Sequence, residues 1–143
     1  MLRMLLAVPA AAFVLSAAAP VAADGPSAMP VYRLPAEGTI AKDGGTPGPG
    51  LTLATRPGDE VVAPAAGRVA YAGPFRSYGD VLILDHGGGW TTLLAGLRPV
   101  TAGLGDVVIG GSPVGRAGAR LLVELRHGGT LVDVIRMAEA RMR

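Results

Sequence analysis

Few side chains in this chain could do chemistry. Among its 143 residues there are two imidazoles, His86 and His127, and no Cys. Without thiols there can be no disulfide staple, no thiolate nucleophile and no Cys-based zinc or iron–sulfur site. A hydrolytic zinc centre needs about three His, Asp or Glu ligands converging on one cation, with a further position open to water. His86 stands in Leu84-Asp85-His86-Gly87 and His127 in Arg126-His127-Gly128-Gly129. Both contexts read as solvated turn histidines rather than as a shared metal pair. A Ser-His-Asp triad would have to recruit Ser77 or Ser112, and neither lies in a nucleophile elbow. Gly44-Gly45 and Gly87-Gly88-Gly89 are followed by no Lys-Ser/Thr and open no helix, so they are not phosphate loops. The single Lys, Lys42, lies outside any hairpin, which argues against a biotinyl or lipoyl carrier. A net charge of +2 gives no nucleic-acid footprint.

The elements that would position these residues are short. Residues 1–23 read as a signal peptide: Arg3, then an apolar stretch from Met4 to about Ala19, then small residues ending at Ala23, where cleavage is expected. That assigns the mature chain to exported, periplasmic space, with no membrane anchor after cleavage. Residues 24–49 form a Pro/Gly-rich extended arm, in which Val31–Pro35 can lie along the domain. From residue 50 to residue 143 the pattern is a mainly β domain. Short β-like runs cover Leu51–Ala54, Glu60–Ala63, Gly67–Ala72, Asp80–Asp85, Trp90–Ala95, Asp106–Ile109, Pro113–Ala117 and Leu121–Arg126. The continuous apolar run Val81–Leu84 predicts a central strand. Many short strands with Gly turns predict a compact antiparallel sandwich or barrel-like fold. Asp133 is placed to cap a short C-terminal helix.

The ordered series Gly50-Leu51-Thr52-Leu53-Ala54, Ala63-Pro64-Ala65-Ala66-Gly67-Arg68-Val69, Tyr78-Gly79-Asp80-Val81-Leu82-Ile83-Leu84-Asp85-His86-Gly87, Trp90 to Leu97, Gly105 to Gly115 and Leu121 to Arg126 resembles the LytM domain. That is the lysostaphin-like zinc metallopeptidase fold, and the resemblance covers most of residues 50–135. It implies a compact antiparallel β structure with a groove across one sheet. It also shows what is missing. Active members carry a His-x-x-x-Asp pair, a His before Leu, and a His-x-His pair. The matching positions here are Gly48 and Thr52, then Gly96 before Leu97, then Arg120 and Leu122. Asp85, His86 and Glu124 match family positions that are not metal ligands. The resemblance therefore implies a catalytically degenerate domain with no metal, no cofactor and no peptidase activity.

A degenerate LytM domain in an exported protein is similar to the EnvC-type murein hydrolase activators. By that similarity the partner is a periplasmic N-acetylmuramoyl-L-alanine amidase, bound through the vestigial groove, in cell-wall remodelling and cell division. The implied groove residues are Tyr78, Leu122 and Arg126, with Thr52, Gly96 and Arg120 at the lost ligand and catalytic positions. Arg126 suits a partner carboxylate, because guanidinium is planar and always charged. The alternative is a module that binds peptidoglycan itself and activates nothing.

Overall fold

The computed structural model describes residues 30–41 and 50–141. The leader at 1–23 and the Gly48 position lie outside the described residues. Among those described, the strands are β1 (Thr39–Ile40), β2 (Leu51–Ala54), β3 (Glu60–Val62), β4 (Gly67–Pro74), β5 (Asp80–Gly87), β6 (Trp90–Val100), β7 (Val107–Val108), β8 (Pro113–His127) and β9 (Thr130–Val132). Among the described residues the one helix, α1 (Val134–Arg141), follows β9. All pairings are antiparallel and make one continuous sheet in the order β1-β2-β8-β6-β5-β4-β7. This is the antiparallel β architecture expected from the sequence, and the Val81–Leu84 run lies in the interior strand β5.

Strand β8 organises the sheet. It pairs with β6 from Gly115 to His127 along one edge. Its other edge is shared in turn by β3, β2 and β9. The segments Pro113–Ala117 and Leu121–Arg126, expected as two strands, are one strand of 15 residues. The glycines between them mark close backbone approach rather than a turn. A Cβ on Gly115 would stand 2.7 Å from the Pro99 carbonyl oxygen, and one on Gly118 would stand 3.2 Å from that of Gly96. The expected strand Trp90–Ala95 likewise continues through Gly96 to Val100.

Alternation decides which side chains enter the core. On β2, Leu51 and Leu53 point inward while Thr52 and Ala54 point outward. On β8, Leu121, Val123 and Leu125 are buried while Leu122, Glu124 and Arg126 face the opposite side. Leu53, Leu82, Leu84, Leu94, Leu121 and Leu125 are fully buried, each stabilising the fold by about 1.5–3 kcal/mol. Asp133 caps α1 as expected: its Oδ1 accepts the Arg136 N–H at 3.1 Å. The helix then packs Val134 and Met137 onto the core. The arm does lie along the domain. Tyr32 is 1% exposed and belongs to the core cluster. The Arg33 N–H donates to the Pro64 carbonyl at 2.9 Å, and the Val62 N–H donates to the Pro35 carbonyl at 2.8 Å. Thr39 and Ile40 then pair with β2.

Candidate functional site

On the face opposite the core, register sets outward side chains in rows across the strands. One row runs Thr52, Leu122, Ala95, Val81. The next runs Glu124, Leu93, Ile83, Tyr71. A third runs Arg126, Thr91, Asp85, Arg68. The first two rows make an apolar floor with Glu124 and Thr52 at its margin. Val81 and Ala95 are buried, yet they stand outside the core cluster, while Ile83, Leu93 and Leu122 beside them are partly exposed. Sequence reasoning missed Leu93, Ile83 and Tyr71. The signal was present: strands apolar at consecutive positions, Val81–Leu84 and Leu93–Ala95, are strands with both faces covered.

Four of the predicted site residues come together. Thr52 is directly opposite Leu122, and Leu122 is opposite Ala95, the residue before Gly96. Gly96 sits in the bulge between Ala95 and Leu97 with φ +96°. A Cβ at this position would run into the carbonyl oxygen of Arg120, so Arg120 meets the site through its backbone. Tyr78 borders the same end. It lies in the β4–β5 turn, which is closed by the Phe75 N–H donating to Gly79 O and the Tyr78 N–H donating to Phe75 O, each at 3.1 Å. Its ring stacks on Phe75 at 6.3 Å, and a Cβ at the adjoining Gly79 would be 3.7 Å from the Gly96 Cα. Arg126 stands apart, four residues from Leu122 along β8, or about 13 Å. Its Nη2 pairs with Glu124 Oε1 at 3.2 Å and its Nη1 donates to the Gly129 carbonyl at 3.1 Å.

These residues do not fit a zinc ion. At the positions where the LytM resemblance puts ligands, the hydroxyl of Thr52 is a poor donor and Leu122 is hydrocarbon. Gly96 has no side chain, and its backbone geometry leaves no room for one. Among the described residues, no group of three His, Asp or Glu side chains could hold a metal.

His86 departs from the solvated-turn expectation, whereas His127 is exposed beside the Gly128–Gly129 turn as expected. His86 is half-buried, with Nδ1 2.7 Å from the Ala66 carbonyl and Nε2 2.7 Å from Thr92 Oγ1. Thr92 is fully buried and bonds the Tyr32 hydroxyl at 2.9 Å. A carbonyl can only accept, so in the neutral ring Nδ1 carries the proton. Thr92 then donates to Nε2, and Tyr32 donates to Thr92. Burial lowers the His86 pKa, against opposing contributions from the Ala66 carbonyl and the Asp85 charge. Burial pushes the Tyr32 phenol up to about 12, against the bond to Thr92. His127 is exposed, but its ring lies flat on Trp90 at 4.1 Å, and its Nε2 is 3.2 Å from the Gly88 carbonyl.

With this geometry in place, the comparisons with known proteins are direct. Residues 46–134 match the Peptidase family M23 model. The murein hydrolase activator NlpD of Escherichia coli strain K12 is 31% identical over 124 residues, covering 77% of this chain and 32% of that protein. An M23-family crystal structure from Pseudomonas aeruginosa superposes with a TM-score of 0.69 at 25% identity, covering 79% of this chain and 52% of the other. A zinc-containing peptidase from Vibrio cholerae has a TM-score of 0.66 at 20% identity, covering 74% and 39%; at that identity the likeness is one of fold. The chain spans between 16% and 38% of the length of the curated relatives it matches. The chain belongs to peptidase family M23, and its domain is of the LytM type.

Proposed function

We propose that this chain is a non-catalytic LytM-type protein that binds a periplasmic peptidoglycan amidase through the groove and switches it on. In this reading residues 1–23 are a cleaved export signal and residues 50–143 form the working domain. One observation carries it: Thr52, Gly96 and Leu122, at positions where the LytM resemblance puts ligand and catalytic groups, lie together beside a floor of Ala95, Leu93 and Ile83. An apolar floor with no ligand gives no activated nucleophile. It does offer the hydrophobic centre and polar rim of a protein-binding surface, with Tyr78 at one end and Arg126 at the other. The similarity to a murein hydrolase activator supports the same reading.

Capture tests it. The immobilised chain is expected to retain a purified N-acetylmuramoyl-L-alanine amidase, and a Leu122→Glu variant with an unchanged melt is expected to release it. Bound zinc at one per chain by elemental analysis would overturn the non-catalytic part. A second reading, peptidoglycan binding without activation, is favoured by the exposed Phe75–Tyr78 stack at the groove end, since aromatic faces suit sugar rings. Retention on purified sacculi with no effect on an amidase would establish it instead.

A further inference from the structure

The described part of the arm, residues 30–41, is attached to the domain at both of its ends. At one end Tyr32 is buried in the core and bonded to Thr92, with its ring edge-on to His86 at 6.2 Å. At the other end β1 pairs with β2, and the Ala41 N–H donates to the Thr52 carbonyl at 2.9 Å. Thr52 borders the groove, so the arm occupies the sheet edge beside the candidate site. We propose that the arm is a pH-sensitive strap, latched by the Tyr32–Thr92–His86 chain and loosened when His86 takes up a proton.

The hydrogen count gives the reason. With neutral His86, each proton in the chain has an acceptor: Tyr32 donates to Thr92, Thr92 to Nε2, and Nδ1 to Ala66 O. When Nε2 gains a proton it must donate to Thr92 Oγ1. Three donors, on Nε2, Thr92 and Tyr32, then share the oxygens of Thr92 and Tyr32, and either the Thr92 proton or the phenol proton of a residue 1% exposed is left without an acceptor. Leaving a buried donor unpaired is unfavourable, and swinging Tyr32 into water relieves it. The groups facing the ring are Tyr32 from the arm, Thr92 from β6, the Ala66 carbonyl before β4, and Asp85 on its own strand. Thr92 does not titrate, and Tyr32 stays protonated at any pH of interest. Asp85 is exposed and its Oδ1 accepts the Gly87 N–H. His86 is thus the group that changes charge between neutral and mildly acid pH. This proposal stands whether or not the amidase reading holds.

The test is amide hydrogen exchange on the full chain from about pH 7.5 to about pH 5, corrected for intrinsic exchange. Peptides covering residues 30–41 are compared with peptides from β8. Arm opening is expected to rise below about pH 6.5, by at most about tenfold per pH unit, since one proton is linked. The β8 peptides stay protected, and His86→Gln, which cannot be protonated, removes the slope. Arm protection that tracks β8 at every pH, or an unchanged slope in His86→Gln, would overturn the proposal. Should that variant fail to fold, an NMR titration of His86 in the unaltered chain decides. Coincident midpoints for ring protonation and arm opening support the latch, and arm opening complete while His86 is still neutral refutes it.

Discussion

Replacing Gly96 with Ala tests the claim that the groove has no place for a catalytic side chain at this position. Gly58 supplies the control. Its φ is +95°, against +96° for Gly96, and a Cβ there would meet nothing within 4 Å. Placing Ala in the left-handed region costs about 1–2 kcal/mol, offset in part by the stiffer unfolded chain, about 0.4–1 kcal/mol. Gly58→Ala should therefore destabilise by about 1 kcal/mol. Gly96→Ala carries the same conformational cost and in addition drives its methyl into the Arg120 carbonyl. That oxygen belongs to the backbone of β8, where pairing with both β2 and β6 restrains it. Overpacking of this kind adds about 1–3 kcal/mol, for a total of about 2–4 kcal/mol. At about 4 °C per kcal/mol for a domain of this size, Gly58→Ala should melt about 4 °C low and Gly96→Ala about 8–16 °C low. Thermal unfolding followed by far-UV circular dichroism reads both. If the two variants melt together, the steric conflict does not exist, and the backbone would accept a side chain at this position.

Three further outcomes follow. Arg126→Glu should abolish amidase capture and cost about 1 kcal/mol in a urea melt, because its part-exposed pair with Glu124 is of a kind close to the roughly 0–1 kcal/mol of surface pairs. Asp133→Ala removes the cap on the Arg136 N–H and should lower stability by about 1 kcal/mol, visible as a small drop in melting temperature. The unaltered chain should lose stability as it is acidified. Unfolded His titrates near 6.5 and burial lowers His86 in the fold, so below about 6.5 the unfolded chain binds a proton that the folded chain declines. Stability is full above that pH and falls through the window down to the lowered native value. Urea melts across this range should show the loss, and His86→Gln should flatten it.

Much of this was legible because it is local. The run Val81–Leu84 announced an interior strand, and Asp133 announced a helix start. What escaped was set by contacts distant in sequence. Gly118 falls in the gap between the expected strands Pro113–Ala117 and Leu121–Arg126. Like Gly115, it is needed because the backbones of β6 and β8 approach closely there. His86 looked solvated beside its glycines, but its surroundings are completed by Thr92 and by Tyr32, a residue 60 positions from Thr92. The positions where the LytM resemblance puts metal ligands were readable only through that resemblance. That a Cβ at Gly96 would meet the Arg120 carbonyl could be learned only from the fold.

The central claim is that this M23 domain acts on a partner rather than on a peptide bond. Dye release from labelled sacculi tests it most directly, using a purified N-acetylmuramoyl-L-alanine amidase with and without the chain, and the chain alone with added zinc. The account predicts no release by the chain alone and a rise in release when chain and amidase are combined. Release by the chain alone, or equal release by the amidase in its presence and absence, would contradict it.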